Sequence, residues 1–503
     1  MSSLLRRAAQ TVRRHPDAAA LTLLSVVATT LRLAFLYRVP VILTGDSQSH
    51  YLPGFDLAFG NEFEPELRRP PGYAAFVAGV ILLLGEELRG LAFAQHVLGV
   101  GMVALTYALG VMTFGRVAGL LGGLLVALNG ALLLSGQSVM TETLFTALLL
   151  ATVLTLLLAG KTGHWAWALV AGVTLGAASL TRPVAQALVV LVPLAFLIYS
   201  RRPWRIVRGT VLVGLGVAIL LGPWMLRNLS EHGTMSAAGG LGRSLVARTI
   251  KYDEGFLDDS RPPEDGDFKA EVRQFIRGKR NTIRNSRSVR STQAGLMKEF
   301  GLTQAESDRI MRVVATEAIL EHPRYYAVGS LKMAWQIVLG KEKEDAYSDR
   351  WVMRAEKDWV EQWESRVDHV LTPPTPTEKA SVETAQWLTG IFQPATVGPI
   401  LPVLAIVGLL AGAVMVRPAL VPGLTLLGIL LASAALDGPV PRYRYPLDPL
   451  IALFAAGGVT AVAYGLLGVR RRFGRPAAVP RPPQHSAARG AGSTSAPVPE
   501  ASR

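Results

Sequence analysis

The chain has 503 residues, 50% of them hydrophobic, a mean hydropathy of +0.33 and 17% charged residues. This apolar excess excludes an ordinary soluble globular protein, in which about 25% of the residues are charged. The formal net charge is +14, but the basic residues lie in short clusters between apolar runs, which is typical of membrane topology signals rather than of nucleic-acid binding. No cysteine is present, which excludes disulfides, thiolate metal sites and cysteine nucleophiles.

The apolar residues are concentrated in runs of roughly 16–22 residues, the length that a helix needs to cross a hydrocarbon core of about 30 Å. The runs predict an all-α polytopic membrane protein with ten spans. A basic segment precedes the first run and no cleavage pattern follows it, so we expect a retained span rather than a signal peptide. The spans are, in chain order, roughly 17–37, 91–113, 117–135, 143–159, 165–180, 184–200, 208–225, 396–415, 418–436 and 449–468.

One further apolar run, residues 73–85, is too short to cross the membrane comfortably. Runs of about 10–14 residues are more often interfacial or re-entrant. We therefore expect a short helix near the outer surface.

Basic clusters decide the expected orientation, because loops rich in lysine and arginine remain in the cytoplasm. Both termini are then cytoplasmic, as an even number of spans requires. The basic positions on that side are Arg6 to Arg14, Arg116, Lys161, Arg201, Arg202, Arg205, Arg417 and Arg470 to Arg472.

The predicted spans and their orientation divide the chain into segments. A first outer loop, a large outer loop with most of the polar residues, and a Pro- and Ala-rich tail without apolar periodicity are the main departures from the spans. The predicted segments are a cytoplasmic N-terminus (1–16), a transmembrane catalytic region (17–226) with its outer loop (38–90), an extracytoplasmic loop domain (227–390), C-terminal transmembrane helices (391–469) and a disordered cytoplasmic tail (470–503).

Asp46 and His50 lie at the start of the first outer loop, in the sequence TGDSQSHY. In a helix these two residues would share one face. A carboxylate at this position can accept a proton from a hydroxyl group or hold a divalent cation, so Asp46 is a candidate base, and Asp46 and His50 are candidate metal ligands. Alternatively, Asp46 caps a short helix and His50 has no role.

Arg69 precedes Pro70 and Pro71, and the loop continues with Gly72 and Tyr73. The paired prolines prevent a helix before Pro71 and favour one that begins there. Free N–H groups at the helix start, beside Arg69, would form a site for an anion such as the phosphate of a membrane lipid. Alternatively, Arg69 is an interfacial arginine that extends towards water.

Further arginines are predicted at the outer ends of spans, against the overall charge bias. Each alone could extend towards water, but the group is better explained by shared anion binding. Glu142 is expected at the outer end of another span, where a carboxylate is costly without a partner; it either pairs with one of these arginines or starts a helix beside Thr141. The arginines are Arg182, Arg227, Arg442 and Arg444.

These motifs together resemble glycosyltransferase family 39 and its bacterial relatives, within the membrane-embedded C-type superfamily that includes protein O-mannosyltransferases and lipid A aminoarabinose transferases. The resemblance covers about residues 17–230 and, more loosely, 396–468. The motifs are Gly45-Asp46-Ser47, Tyr51, Gly60, Arg69-Pro70-Pro71-Gly72-Tyr73, Leu180-Thr181-Arg182-Pro183, Pro223-Trp224, Arg227-Asn228 and Arg444-Tyr445-Pro446.

The resemblance implies an inverting transfer of a hexosyl or pentosyl group from a polyprenyl-phosphate sugar at the outer face of the plasma membrane. The family's first-loop acidic residue corresponds to Asp46, and its basic residue before Pro-Pro corresponds to Arg69. Protein mannosyltransferases typically have an Asp-Glu pair in this loop. Here Ser47 follows Asp46 in place of the Glu, which argues against protein mannosylation. The acceptor would be a glycan, lipid or protein of the cell envelope.

We therefore expect Asp46 to act as the base, with a divalent metal ion as a candidate cofactor. A transporter or flippase of a lipid-linked or anionic substrate is the main alternative, although it would favour internal repeats and ionisable groups near mid-membrane. An assembly protein with a degenerate site is a third. The expected substrate-binding residues are Arg69, Tyr73, Glu142, Arg182, Arg227 and Arg444.

Overall fold

The computed structural model describes residues 14–39, 41–43, 46–61, 63, 69–252, 268–279, 286–339, 380, 383, 384, 387, 400–436 and 441–466. Within these ranges the regular elements are helices, and the only extended pairing is one isolated bridge between Ile42 and Ser138. The predicted all-α class is confirmed.

The helices fall into a spanning bundle and a group between its seventh and eighth predicted spans. They are α1 (Pro16–Arg38), α2 (Ser47–Phe59), α3 (Gly72–Leu84), α4 (Leu88–Thr113), α5 (Arg116–Ala127), α6 (Gly130–Gln137), α7 (Glu142–Thr162), α8 (Trp165–Thr181), a 3₁₀ segment (Pro183–Leu191) leading into α9 (Val192–Tyr199), α10 (Pro203–His232), α11 (Leu241–Ala247), α12 (Phe268–Gly278), α13 (Ser286–Phe300), α14 (Gln304–Glu321), α15 (Pro323–Leu339), α16 (Ile400–Met415), α17 (Leu420–Leu436) and α18 (Asp448–Leu466).

Within the described residues, six helical stretches are long and apolar enough to cross a membrane: α1, α4, α7, α10, α17 with the turn before it (Arg417–Leu436), and Tyr445–Tyr464, which contains most of α18. The pair α5 and α6 is bent by 51° and forms a seventh candidate if it is one span. The other three predicted spans coincide with shorter apolar helices, namely α8, Pro183–Tyr199 and α16. The chain is therefore a multi-pass membrane protein, and the count of ten spans stays a prediction. The short run at 73–85 forms α3, a helix of 13 residues as expected.

Small residues let several of these helices approach closely. Between α16 and α18, a Cβ atom added to Gly408 would collide with the backbone carbonyl of Phe454, and one added to Gly458 would collide with that of Leu404. Such contacts are typical of helices in lipid, where packing rather than the hydrophobic effect holds spans together. Most of the buried apolar side chains of the bundle form one core, and smaller clusters lie beside it, around α2 and α3 and at the end of α1.

In the group α11–α15, helices α11–α14 form a smaller core of their own within the predicted 227–390 domain, whereas Met333, Ala334 and Ile337 of α15 belong to the core of the bundle. This group contacts the C-terminal end of α17, where the Tyr326 hydroxyl donates to the carbonyl of Ala435 (2.7 Å) and Arg248 Nε donates to that of Ala434 (3.3 Å). These bonds satisfy carbonyls that a helix end leaves without partners. The extracytoplasmic placement of the group stays a prediction, and the predicted tail at 470–503 and most of the 1–16 segment lie outside the described residues.

Candidate active site

Asp46 lies immediately before α2, but its side chain makes no helix-capping hydrogen bond. It accepts instead from two arginines: Arg69 Nη2 lies 2.9 Å from Oδ1, and Arg442 Nη1 lies 2.9 Å from Oδ2. His50, one turn further on, shares the expected face with Asp46, and its Nε2 lies 2.9 Å from Nη1 of Arg69. Arg69 thus bridges the two residues that the sequence placed together.

The position of Arg69 is set by Pro71 and Gly72, which begin the helix that follows it. Pro71 is the N-cap of α3, one residue earlier than the first helical residue, Gly72. A Cβ atom on Gly72 would lie 2.7 Å from the carbonyl oxygen of Leu180, so only glycine allows the start of α3 to pack against the end of α8. This contact places Arg69 beside the end of α8, the helix that Arg182 follows.

Glu142 is the first residue of α7 and is 3% exposed. Its Oε1 atom accepts from Nη1 of Arg182 at 2.9 Å, so both of its expected roles, helix start and arginine partner, are observed. The guanidinium of Arg182 lies over two aromatic rings, 5.7 Å from the centroid of Phe145 and 5.2 Å from that of Tyr443. Cation–π contacts of this kind hold a guanidinium in a fixed orientation.

Arg442 joins the two carboxylates into one cluster. Besides its bond to Asp46, its Nε atom lies 4.0 Å from Oε1 of Glu142. Asp46, Glu142, Arg69, Arg182 and Arg442 therefore form what we call the site cluster, in which three guanidinium groups outnumber two carboxylates. A cluster with this excess of positive charge is suited to bind an anion.

The charges of the cluster fix the ionisation of Asp46. Burial by itself would raise the pKa of its carboxyl group, but the positive charges of Arg442 and Arg69 outweigh burial and hold the pKa well below its usual value. Burial likewise tends to lower the pKa of Arg442, whereas Asp46 and Glu142 raise it above its usual range. Asp46 is therefore ionised at physiological pH, and in this state it is a weak base.

All of these residues lie at one end of the bundle. The chain reaches this end after α1, α6, α8 and α17 and leaves it through α4, α7, α9 and α18. The cluster therefore assembles from chain segments up to 396 residues apart in sequence.

Arg444 and Arg227 do not contact the carboxylates of the site cluster within the described parts of the chain. Arg444 is buried and pairs with Asp448 at 2.9 Å, and Asp448 also accepts from the side-chain amide of Asn129 at 3.0 Å. Arg227 lies over the ring of Trp224, 5.0 Å from its centroid. Arg442, which the sequence also placed among the anion-binding arginines, reaches the site cluster, and the expected contacts of Arg444 and Arg227 with substrate stay predictions. The i,i+4 spacing of Arg444 and Asp448 was the signal that distinguishes the two arginines.

Tyr73 is buried, and its hydroxyl donates to the side-chain oxygen of Gln95 at 3.0 Å. Its ring stands edge-on to His50, with centroids 5.5 Å apart. The hydroxyl of Tyr73 therefore faces the interior of the protein, and its expected contact with substrate stays a prediction.

The candidate metal ligands, Asp46 and His50, are held together through Arg69. Among the described residues there is no group of three or more His, Asp or Glu side chains that could hold a metal ion. A cation at this position would have to displace Arg69 from both side chains. Metal dependence stays a prediction.

Residues 68–226 match the family model described as dolichyl-phosphate-mannose-protein mannosyltransferase. No curated protein sequence matches the chain. The family resemblance inferred from the motifs is thus confirmed over this part of the chain, which contains Arg69, Tyr73, Glu142 and Arg182 but not Asp46 or Arg442.

The chain aligns with several solved structures, among them the two that follow. The archaeal oligosaccharyltransferase AglB from Archaeoglobus fulgidus, in complex with an inhibitory peptide and a dolichol-phosphate, is 12% identical, with a TM-score of 0.49 over 92% of this chain and 52% of that one. ArnT from Cupriavidus metallidurans, bound to undecaprenyl phosphate, is 15% identical, with a TM-score of 0.38 over 88% of this chain and 78% of that one. The chain spans about half the length of the archaeal protein.

Proposed function

We propose that this chain is a membrane glycosyltransferase that moves a hexosyl or pentosyl group from a polyprenyl-phosphate carrier to an acceptor of the cell envelope. The reaction would take place on the extracytoplasmic face of the plasma membrane, with inversion at the anomeric carbon. The observation that carries the proposal is the site cluster, where Arg69 and Arg442 hold Asp46 at the end of the bundle. The family match over residues 68–226 supports the same class of reaction.

The arginines of the cluster suit the phosphate of a lipid-linked donor. A guanidinium binds phosphate through paired N–H groups, and it does so more strongly where water is partly excluded. The far end of α3 exposes Leu82 and Leu83 (71% and 83%), on a helix about 20 Å long by its 13 residues. The hydrocarbon chain of a donor could therefore lie along α3 while its phosphate reaches Arg69.

The transfer itself needs one base and a stabilised leaving group. Asp46 would take the proton of an acceptor hydroxyl as its oxygen attacks the anomeric carbon from the face opposite the phosphate. The new carbon–oxygen bond forms while the bond to the phosphate oxygen breaks, and the polyprenyl phosphate leaves with that electron pair. Arg69, Arg182 and Arg442 would stabilise the negative charge that develops on it.

The weak basicity of Asp46 in the free enzyme is consistent with this scheme. A donor phosphate competes with Asp46 for Arg69 and Arg442, because both are anions that pair with guanidinium. As these cations turn to the phosphate, the pKa of Asp46 rises back towards its usual value. The carboxylate then becomes an effective base only when donor is bound, which limits loss of the sugar to water.

Transfer can be tested with the purified chain in nanodiscs. Polyprenyl-phosphate sugars with labelled hexose or pentose are supplied with a cell-envelope fraction, and labelled products are identified by mass spectrometry. We expect transfer of one sugar class and release of polyprenyl phosphate. If the chain instead moves the intact lipid-linked sugar between leaflets of a vesicle without cleaving it, the transporter alternative replaces this proposal.

The proposed orientation has its own test. A reporter fused after residue 260 should be active only outside the cytoplasm, and one fused after residue 203 only inside. A cytoplasmic signal at 260 would place the α11–α15 group on the wrong side and overturn the extracytoplasmic placement of the reaction.

A further inference from the structure

Gln95 is a fully buried side chain on α4 that makes three hydrogen bonds. Its Oε1 accepts from the hydroxyl of Tyr73 (3.0 Å), and its Nε2 donates to the carbonyls of Gly136 (3.2 Å) and Ser138 (2.8 Å). Two carbonyls can only accept, so they fix the amide with its nitrogen towards α6 and its oxygen towards Tyr73. A fully satisfied polar group in an apolar bundle specifies one arrangement of its partners.

One partner, Tyr73, belongs to the segment that carries Arg69. Tyr73 is the second residue of α3, four positions after Arg69, and its ring packs against His50, which contacts the same arginine. The bond from Tyr73 to Gln95 therefore ties the start of α3, and with it Arg69, to α4.

The other partners belong to the segment that holds Asp46. Residues 137–139 pair with the chain after α1: Ile42 N donates to the carbonyl of Gln137 (2.9 Å), and Val139 N donates to the carbonyl of Ile42 (3.2 Å). The hydroxyl of Ser47, the residue after Asp46, donates to the carbonyl of Val139 at 3.0 Å. A shift of residues 136–138 would therefore move Asp46.

The neighbouring residue on α4 strengthens this second connection. His96 Nε2 lies 2.8 Å from the side-chain oxygen of Gln137, and Nε2 of Gln137 donates to the carbonyl of Val39 at 2.6 Å. Adjacent side chains of one helix thus hold the segment between α6 and α7 against the first loop. Of these two residues, Gln95 is the one that also contacts the chain segment of Arg69, through its bond with Tyr73.

We infer that Gln95 is a positioning residue of the transfer reaction, which sets the separation of Asp46 from Arg69 by joining their two chain segments through Tyr73, Gly136 and Ser138. This inference rests on the proposed function. Because Gln95 contacts neither carboxylate nor guanidinium of the site cluster through these bonds, its effect would be exerted through geometry alone. Misplacement of reacting groups by about 1 Å can lower a rate by about 100-fold.

The kinetic test replaces Gln95 by methionine, which has a similar volume but cannot make these bonds. Thr106→Val is the matched control, because Thr106 is equally buried on the same helix, and its hydroxyl bonds only to the carbonyl of Met102 (2.8 Å). We expect Gln95→Met to lower kcat by about 10- to 100-fold, with a much smaller change in the KM for donor. Tyr73→Phe should lower kcat too, and the double variant should add little to Gln95→Met, because both changes break the same connection.

A distance measurement tests the inference without any activity. The chain has no cysteine, so nitroxide labels can be attached to cysteines introduced at Ala75 on α3 and Phe93 on α4, both exposed. The distribution of label distances should broaden with Gln95→Met and remain that of the parent with Thr106→Val. An unchanged distribution, or equal kcat values for the two variants at matched thermal stability, would overturn the positioning role. A broadened distribution in a protein without any transferase activity would retain the structural connection and reject the proposed function instead.

Discussion

Two arginine–carboxylate groups lie at the same end of the bundle, with the same distance of 2.9 Å between the paired atoms, and differ in the sequence separation and the exposure of their residues. In the site cluster, Asp46 pairs with Arg69 and Arg442, residues distant in sequence, and the three side chains are 26%, 17% and 34% exposed. In the other group, Arg444 pairs with Asp448 one helical turn away, and both side chains are about 5% exposed. The first group can exchange its partners for a ligand, whereas the second is enclosed and stabilises the start of α18. Proximity of opposite charges alone therefore does not identify a binding site.

The largest expected effect concerns Asp46. Asp46→Asn keeps the shape of the side chain and removes its basicity, so the transfer rate should fall by about 10²–10⁴-fold. The rate of sugar transfer in nanodiscs measures this, with Asp56→Asn on α2 as the control that should retain the parent rate. Transfer at close to the parent rate by Asp46→Asn would assign the base elsewhere, with Glu142 the next residue to test.

Replacement of each of the two neighbouring arginines by alanine should affect a different property of the protein, stability for Arg444 and donor binding for Arg442. Arg444→Ala leaves Asp448 buried without its cation, which should reduce stability by about 3–5 kcal/mol, seen as a lower unfolding temperature in detergent. Arg442→Ala should leave stability closer to that of the parent and weaken donor binding roughly 10- to 100-fold, since hydrogen bonds to charged groups are worth about 1.5–3 kcal/mol. Equal losses of stability in both variants would remove the distinction between the two groups.

Arg69 should show a graded effect on donor affinity. Arg69→Ala removes a guanidinium from the site cluster and should weaken binding of a polyprenyl-phosphate sugar, while Arg69→Lys keeps the charge, loses the forked geometry and should be intermediate. The dissociation constant in nanodiscs measures this. Arg201→Ala, at the opposite end of the bundle, is the control. If Arg69→Ala binds donor as well as Arg201→Ala does, Arg69 is only an interfacial anchor.

The smallest expected effect is the pH dependence of stability. A carboxyl group whose pKa is lowered on folding stabilises the protein above the pKa of the unfolded chain, near 4, and this contribution is lost as the pH falls towards the folded value. The parent should therefore unfold at a higher temperature than Asp46→Asn at pH 7. The difference should shrink as the pH is lowered below about 4, and a difference that grows on acidification would contradict the assigned pairing.

The sequence predicted the helical elements well because their signals are local. Eight of the ten apolar runs coincide with one α-helix each in the described residues, run 117–135 forms the pair α5 and α6, and run 184–200 forms the 3₁₀ segment and α9. The short run at 73–85 forms α3. These signals are local, since length and apolarity are properties of one segment. Local rules also placed Asp46 beside His50, Arg69 before a proline-started helix and Glu142 at the start of α7. The bend of 51° between α5 and α6 and the separate core of α11–α14 had no equally simple signal.

Which charges meet was decided by the tertiary structure. Both Arg442 and Arg444 stand in PRYRYP; the i,i+4 spacing allows Arg444 to pair with Asp448, but nothing in the sequence shows that Arg442 reaches Asp46, 396 positions away. Gln95 likewise carried no sequence signal, because a lone glutamine in an apolar helix gains its role only from the carbonyls and the hydroxyl that packing brings to it. Hydropathy and turn chemistry act along the chain and set the helices, whereas ion pairs and buried hydrogen bonds depend on the distances between helices, which only their packing fixes.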